Sequence, residues 1–91
     1  MDVKQLRYFV CIAEAGSLSG AAQKVNVAQP SLSQHVLSLE RELGVKLLER
    51  SSRGVTLTQS GEVLLRHARD IIGPLRDAVE AVRQSGAEPI G

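Results

Sequence analysis

The sequence predicts a mostly α-helical fold: three helices and a short β-hairpin, followed by one long helix. Three observations carry that expectation. Apolar residues recur at three- and four-residue steps through residues 3–13, 32–43 and 64–82, the period of a helix with one buried face. Between residues 45 and 57 the step falls to two on either side of a Ser-Ser-Arg-Gly stretch. Gly16, Asn26 and Gly44 close the helical runs, and these residue types tolerate the left-handed backbone that ends a helix.

The first helix places Val3, Leu6, Val10 and Ala13 on one face, with Phe9 beside them. Ser19 is the expected N-cap of a short second helix, "GAAQKV", whose Ala21 and Ala22 let a neighbour approach closely. A third helix is expected from Pro30 to Leu43, with Leu32, Val36, Leu39 and Leu43 as its apolar stripe. Proline suits its first turn, where the missing N–H would be unpaired anyway. Pro30, Ser31, Gln34, Ser38 and Arg41 point away from the stripe, and Ser33 and His35 flank it. The polar face therefore gathers at the N-terminal end.

Val45/Leu47 and Val55/Leu57, with "SSRG" between them, read as a hairpin over about 45–57. Thr58 then caps the long helix. In it Leu64, Ala68, Ile71, Leu75, Ala78 and Val82 form a heptad seam, and Leu65, Ile72 and Val79 run beside it. From Thr58 to Arg83 this helix spans about 39 Å, longer than anything in the first 57 residues can cover. A second copy of the same helix is the expected partner. Gly73–Pro74 interrupts the pattern, so either a bend near the middle or two separate helices is expected. The organisation is then a domain over 1–58, with a helix-turn-helix at about 18–37, a linker and dimerisation helix over 59–84, and a hinge over 85–91.

Composition bounds the function. The 91 residues make one small domain with an extension, and an almost wholly aliphatic core, since there is no Trp, one Phe and one Tyr. A net charge of +1 does not by itself suggest a nucleic-acid partner. Its distribution does more, because no acidic residue lies between Glu14 and Glu40, and Arg41, Lys46, Arg50 and Arg53 follow close behind. Cys11 is alone, which excludes an internal disulfide and fits a reducing cytoplasm. No run approaches the ~18 apolar residues of a membrane span, and "MDVKQLRYFV" has no signal-like apolar core. A soluble, cytoplasmic chain without membrane partners is expected. His35 and His67 lie in different helices with no metal-ligand spacing and no nucleophile nearby, so neither an enzyme, a metal nor a cofactor is expected.

The stretch "VAQPSLSQHV" carries the functional reading. Two short helices, a longer one with a polar first turn, and a basic-tipped hairpin form the layout of a winged helix-turn-helix. Ser and Gln side chains hydrogen-bond base edges, and a helix N-terminus offers partly positive N–H groups to phosphate. The residues also admit a plainer reading, in which Ser31 and Ser33 satisfy backbone donors and Gln34 is merely solvated. Arg53 at the hairpin tip is placed to enter a minor groove, or to sit in solvent as a turn arginine. Arg50 is placed to contact phosphate, or to pair with Glu49 or Glu42.

The run from Leu6 to Gly61 resembles the N-terminal region of LysR-type transcriptional regulators. The matching pieces are "LRYF", "GSLSGAA", "AQPSLSQHV", "LERELGVKLLER" and "RGVTLTQSG". The resemblance implies a winged helix-turn-helix that reads double-stranded DNA in bacterial transcription regulation, with a linker helix that pairs two subunits into a homodimer. It implies DNA-facing roles for Gln29, Pro30, Ser31, Ser33 and Gln34, with Arg53 in the wing. Such regulators continue into an effector-binding domain similar to periplasmic binding proteins, which is not in this sequence. A small-molecule effector and higher oligomers are expected of that larger protein only. Two departures stand out. Gln34 replaces an arginine common in the family, shifting the favoured base from guanine toward adenine, and Ala28 replaces a frequent serine. Gln29, Pro30, Ser31, Ser33, Gln34, Ser38, Arg50 and Arg53 form the expected DNA-binding set. The alternative is a winged helix that binds protein and does not read DNA.

Overall fold

The computed structural model describes residues 1–86. The elements are α1 (Val3–Ala15), α2 (Leu18–Val25), α3 (Gln29–Leu43), β1 (Leu48–Ser51), β2 (Gly54–Leu57) and α4 (Gln59–Gly86). Among the described residues no helix is long and apolar enough to cross a membrane.

Asp2 caps α1 by accepting from the Gln5 N–H at 2.8 Å, and Gly16 ends it at φ 71°. The buried face is Leu6, Phe9 and Ile12, not the expected line through Val3, Val10 and Ala13, and Val3 is 37% exposed. The reason is tertiary. α1 touches α2, α3 and α4 together, so its covered arc centres on Phe9 and spreads to both sides. Phe9 and Ile12 join the main core with Ala21, Leu32, Val36, Leu39, Leu47 and Leu48, while Leu6 packs with Ala68 and Ile72 of α4.

Ser17, and not Ser19, caps α2, its Oγ accepting from the Gly20 N–H at 3.0 Å. Gly16 turns the chain so sharply that α2 starts at once, leaving Ser19 on its exposed first turn. Asn26 ends α2 in the left-handed region at φ 56°. α3 begins at Gln29, one residue before the expected start, and buries Leu32, Val36 and Leu39. Leu43 lies at its open end and is exposed.

The hairpin is antiparallel, with Leu48 opposite Leu57 and Ser51 opposite Gly54, which makes Ser52–Arg53 a two-residue turn. Its first strand starts at Leu48 and excludes Val45 and Leu47. The Glu40 carboxylate accepts from both the Leu47 and Leu48 N–H groups, at 2.7 and 3.3 Å, so this segment wraps the end of α3 before strand pairing begins. At the other edge, the Val55 N–H donates to the Gly16 carbonyl at 2.9 Å and ties the hairpin to the turn after α1.

Thr58 caps α4 as expected, accepting from the Gly61 N–H at 3.0 Å and donating to the Lys46 carbonyl at 2.6 Å. Gly61 is buried directly against the Leu47 carbonyl, where a Cβ would collide. α4 then runs as one helix through Gly73–Pro74, which rules out two separate helices. Pro74 and Asp70, whose carbonyl loses its usual N–H partner, are both exposed, where water can take that partner's place. The expected hinge is corrected in part: Ser85 and Gly86 belong to α4, and residues 87–91 lie outside the described residues.

The expected dimer seam is also corrected in part. Ala68 and Ile72 are buried against α1, and Leu64 and Leu65 are half-buried on the cores of the same chain. The N-terminal half of α4 thus turns that stripe inward. Ile71 and Val82 remain 48% and 70% exposed, with Ala78 and Val79 open and Leu75 half-open beside them. The radius of gyration, 15.4 Å, exceeds the roughly 12 Å of a rounded chain of this length. The excess is the free half of α4, every residue of which from Arg76 to Gly86 is exposed.

Candidate nucleic-acid interface

α2 and α3 are joined by Asn26, Val27 and Ala28 alone, and the Val27 N–H bonds the Ala22 carbonyl at 3.1 Å. Fully buried Ala21 lets α2 lie close on its neighbours. This fixes α3 so that its first turns project from the body. Gln29, Pro30, Ser31, Gln34 and Ser38 are exposed, and Ser33 is half-buried on the flank.

Ala28 stands at the N-cap of α3 in extended conformation, with no side-chain cap bond. Neither Ser31 nor Ser33 takes up a backbone N–H at that end, so the plainer reading of these serines fails. The first turn of α3 therefore leaves the Gln29 and Ser31 N–H groups without a side-chain cap, beside exposed hydroxyls and amides. Ser33 has a different partner: Arg50 Nη1 on β1 donates to its Oγ at 2.9 Å. The two carboxylates expected to compete for Arg50 are engaged elsewhere. Glu49 faces Lys46 Nζ at 3.5 Å, and Glu42 pairs with the Met1 ammonium at 2.5 Å. Arg53 is exposed at the hairpin tip, its backbone N–H held by Ser51 Oγ at 3.2 Å.

α1 contributes residues that the sequence alone does not mark. The Tyr8 ring meets His35 edge-on at 4.9 Å, and Lys4 Nζ lies 5.8 Å over Tyr8. Gln5 joins Ser31, Gln34, His35, Ser38 and Arg41 around a shallow polar depression on the outer face of α3. Periodicity puts Lys4, Gln5 and Tyr8 on the polar side of α1, but only the packing of α1 on α3 brings them here. The surface is thus an uncharged, hydrogen-bonding ridge along α3 with Lys4, Arg41, Arg50 and Arg53 at its margins. Such a ridge suits base edges at its centre and phosphates at its rim. Elsewhere, no group of three or more His, Cys, Asp or Glu among the described residues is arranged to hold a metal. Cys11 is half-buried, with Sγ 3.8 Å from the Ala21 carbonyl.

A tight two-helix turn presenting the second helix end-on, followed by a hairpin with an arginine at its tip, is a winged helix-turn-helix domain. The chain belongs to the LysR family of these domains: the family described as bacterial regulatory helix-turn-helix protein, lysR family, matches residues 3–62. The HTH-type transcriptional regulator TfdT of Cupriavidus pinatubonensis is 47% identical over 72 residues, covering 79% of this chain and 32% of its own. Among solved structures, the CbnR_DBD–DNA complex superposes with a TM-score of 0.83 at 40% identity, over 94% of this chain and 99% of that one. The BenM_DBD/catB site 1 DNA complex gives a TM-score of 0.87 at 36% identity, over 98% of this chain and 99% of the other. This chain spans about a third or less of the length of the curated relatives it matches.

Proposed function

We propose that this chain is the DNA-reading part of a bacterial transcription regulator and binds double-stranded DNA sequence-specifically, as a homodimer on a partly symmetric operator. One observation carries the reading: the first turns of α3 leave Gln29, Pro30, Ser31 and Gln34 exposed, with no side-chain hydrogen bond from Gln29, Ser31 or Gln34 among the described residues, beside a wing whose Arg50 is bonded to Ser33. A helix end so equipped enters a major groove and meets donor and acceptor edges there. Ser38 lies one turn further along, and Arg53 reaches the minor groove or backbone from the wing tip. Ile71, Leu75, Ala78, Val79 and Val82 form the seam with a second copy, and α4 sets the distance between the two reading heads. The small-molecule effector and any higher oligomer belong to a larger regulator, which works in the cytoplasm.

Selection of a randomised duplex pool at two salt concentrations tests the reading. The expected result is an enriched site with two related halves, lost with Gln34→Ala. A chain that enriches nothing at the lower salt is not a DNA reader, and its polar ridge then faces another protein.

A further inference from the structure

We propose that Arg50 sets the hydrogen-bonding polarity of Ser33, so that the pair discriminates against cytosine at the base Ser33 reads. The inference rests on the DNA-reading function above and adds a chemical rule to it.

A guanidinium only donates hydrogen bonds, because it has no lone pair to offer. Arg50 Nη1 at 2.9 Å therefore makes Ser33 Oγ the acceptor, and the hydroxyl proton must point elsewhere. A serine in a helix often turns that proton back onto its own backbone, as Ser85 does by donating to the Val82 carbonyl at 2.7 Å. Ser33 makes no such bond among the described residues, so its proton is free. The positive charge beside the oxygen also makes it a poorer acceptor for a second donor and strengthens the O–H as a donor. No carboxylate draws Arg50 away, since Glu49 and Glu42 have their own cations.

The Ser33 hydroxyl thus seeks an acceptor. Adenine and guanine present N7 in the major groove, guanine adds O6, and thymine presents O4. Cytosine alone presents a donor, its N4 amino group, and no acceptor. Ser33 is the reading residue, and Arg50 is a positioning residue that acts through it.

The test is selection on a randomised duplex pool with the parent chain, Ser33→Ala, Arg50→Ala and Arg50→Lys. The position whose preference Ser33→Ala erases is the one Ser33 reads. There the parent disfavours cytosine by about 10-fold, and Arg50→Ala admits it to within about 2-fold. Arg50→Lys keeps a charged donor and restores most of the bias. Cytosine enriched at that position by the parent overturns the proposal. So does an Arg50→Ala chain that weakens all four bases equally, which is how a bare phosphate contact behaves. Unchanged preferences with Ser33→Ala overturn it as well. A parent that enriches no site removes the DNA-reading function, and this rule with it.

Discussion

At the residue scale, two positions separate what local chemistry reveals from what contact reveals. Gln34 is exposed on α3 at a place where the residue type alone suggests a base preference. An amide pairs with the N6/N7 edge of adenine, and a guanidinium pairs with the O6/N7 edge of guanine. Gln34→Arg is therefore expected to move the enriched base from adenine toward guanine, by about 1–3 kcal/mol of discrimination measured with matched duplexes. Gly61 is the opposite case. In the sequence it is an ordinary first-turn residue of a capped helix, yet its Cα faces the Leu47 carbonyl with no room for a methyl group. Gly61→Ala should lower stability by about 1–3 kcal/mol in urea melts, because the atom struck first, the Leu47 carbonyl oxygen, belongs to backbone that cannot step aside. An unchanged midpoint would mean that α4 can slide away from the start of the hairpin.

At the scale of elements, signals that act over a single turn were readable, and signals that depend on a neighbour were not. Gly16, Asn26, Gly44 and Thr58 each end or begin a helix where the sequence places them, because a left-handed backbone and a hydroxyl cap are local requirements. Ser19 lost to Ser17 because the turn at Gly16 decides which of two nearby serines meets the free N–H groups. Val45 and Leu47 share the strand spacing, but the Glu40 carboxylate takes the backbone N–H that a strand would have needed. α4 is the clearest example. Its apolar pattern is wide enough for two partners: α1 occupies the Ala68 and Ile72 side, while Ile71 stays open. Ile71→Glu is expected to sediment as a monomer with unchanged helical circular dichroism and weak operator affinity. A variant that still sediments as a dimer would move the seam off this face.

At the scale of the whole molecule, a net charge of +1 and a ridge without charge at its centre predict a particular balance of forces. Cations sit only at the rim, so phosphate contacts are few and specificity depends on the ridge. Binding should still weaken with salt, since each neutralised phosphate adds about −0.9 to the slope of log affinity against log salt. Arg53→Ala is expected to reduce that slope by about one while leaving the order of preferred sites intact, as titrations at several salt concentrations would read. A changed order of sites with the same slope would make Arg53 a base reader.

Taken alone, the sequence determined the order and type of the elements, the polar end of α3, and the presence of a basic wing. Each depends on periodicity, capping or turn chemistry within a few residues. Tertiary structure decided which face of α1 is buried, that half of the α4 stripe serves its own domain, and that Arg50 belongs to Ser33 and not to a carboxylate. It also brought Lys4, Gln5 and Tyr8 to the flank of α3. Those outcomes depend on which surfaces meet across 17 to 60 or more residues of chain, a distance over which no local pattern carries information.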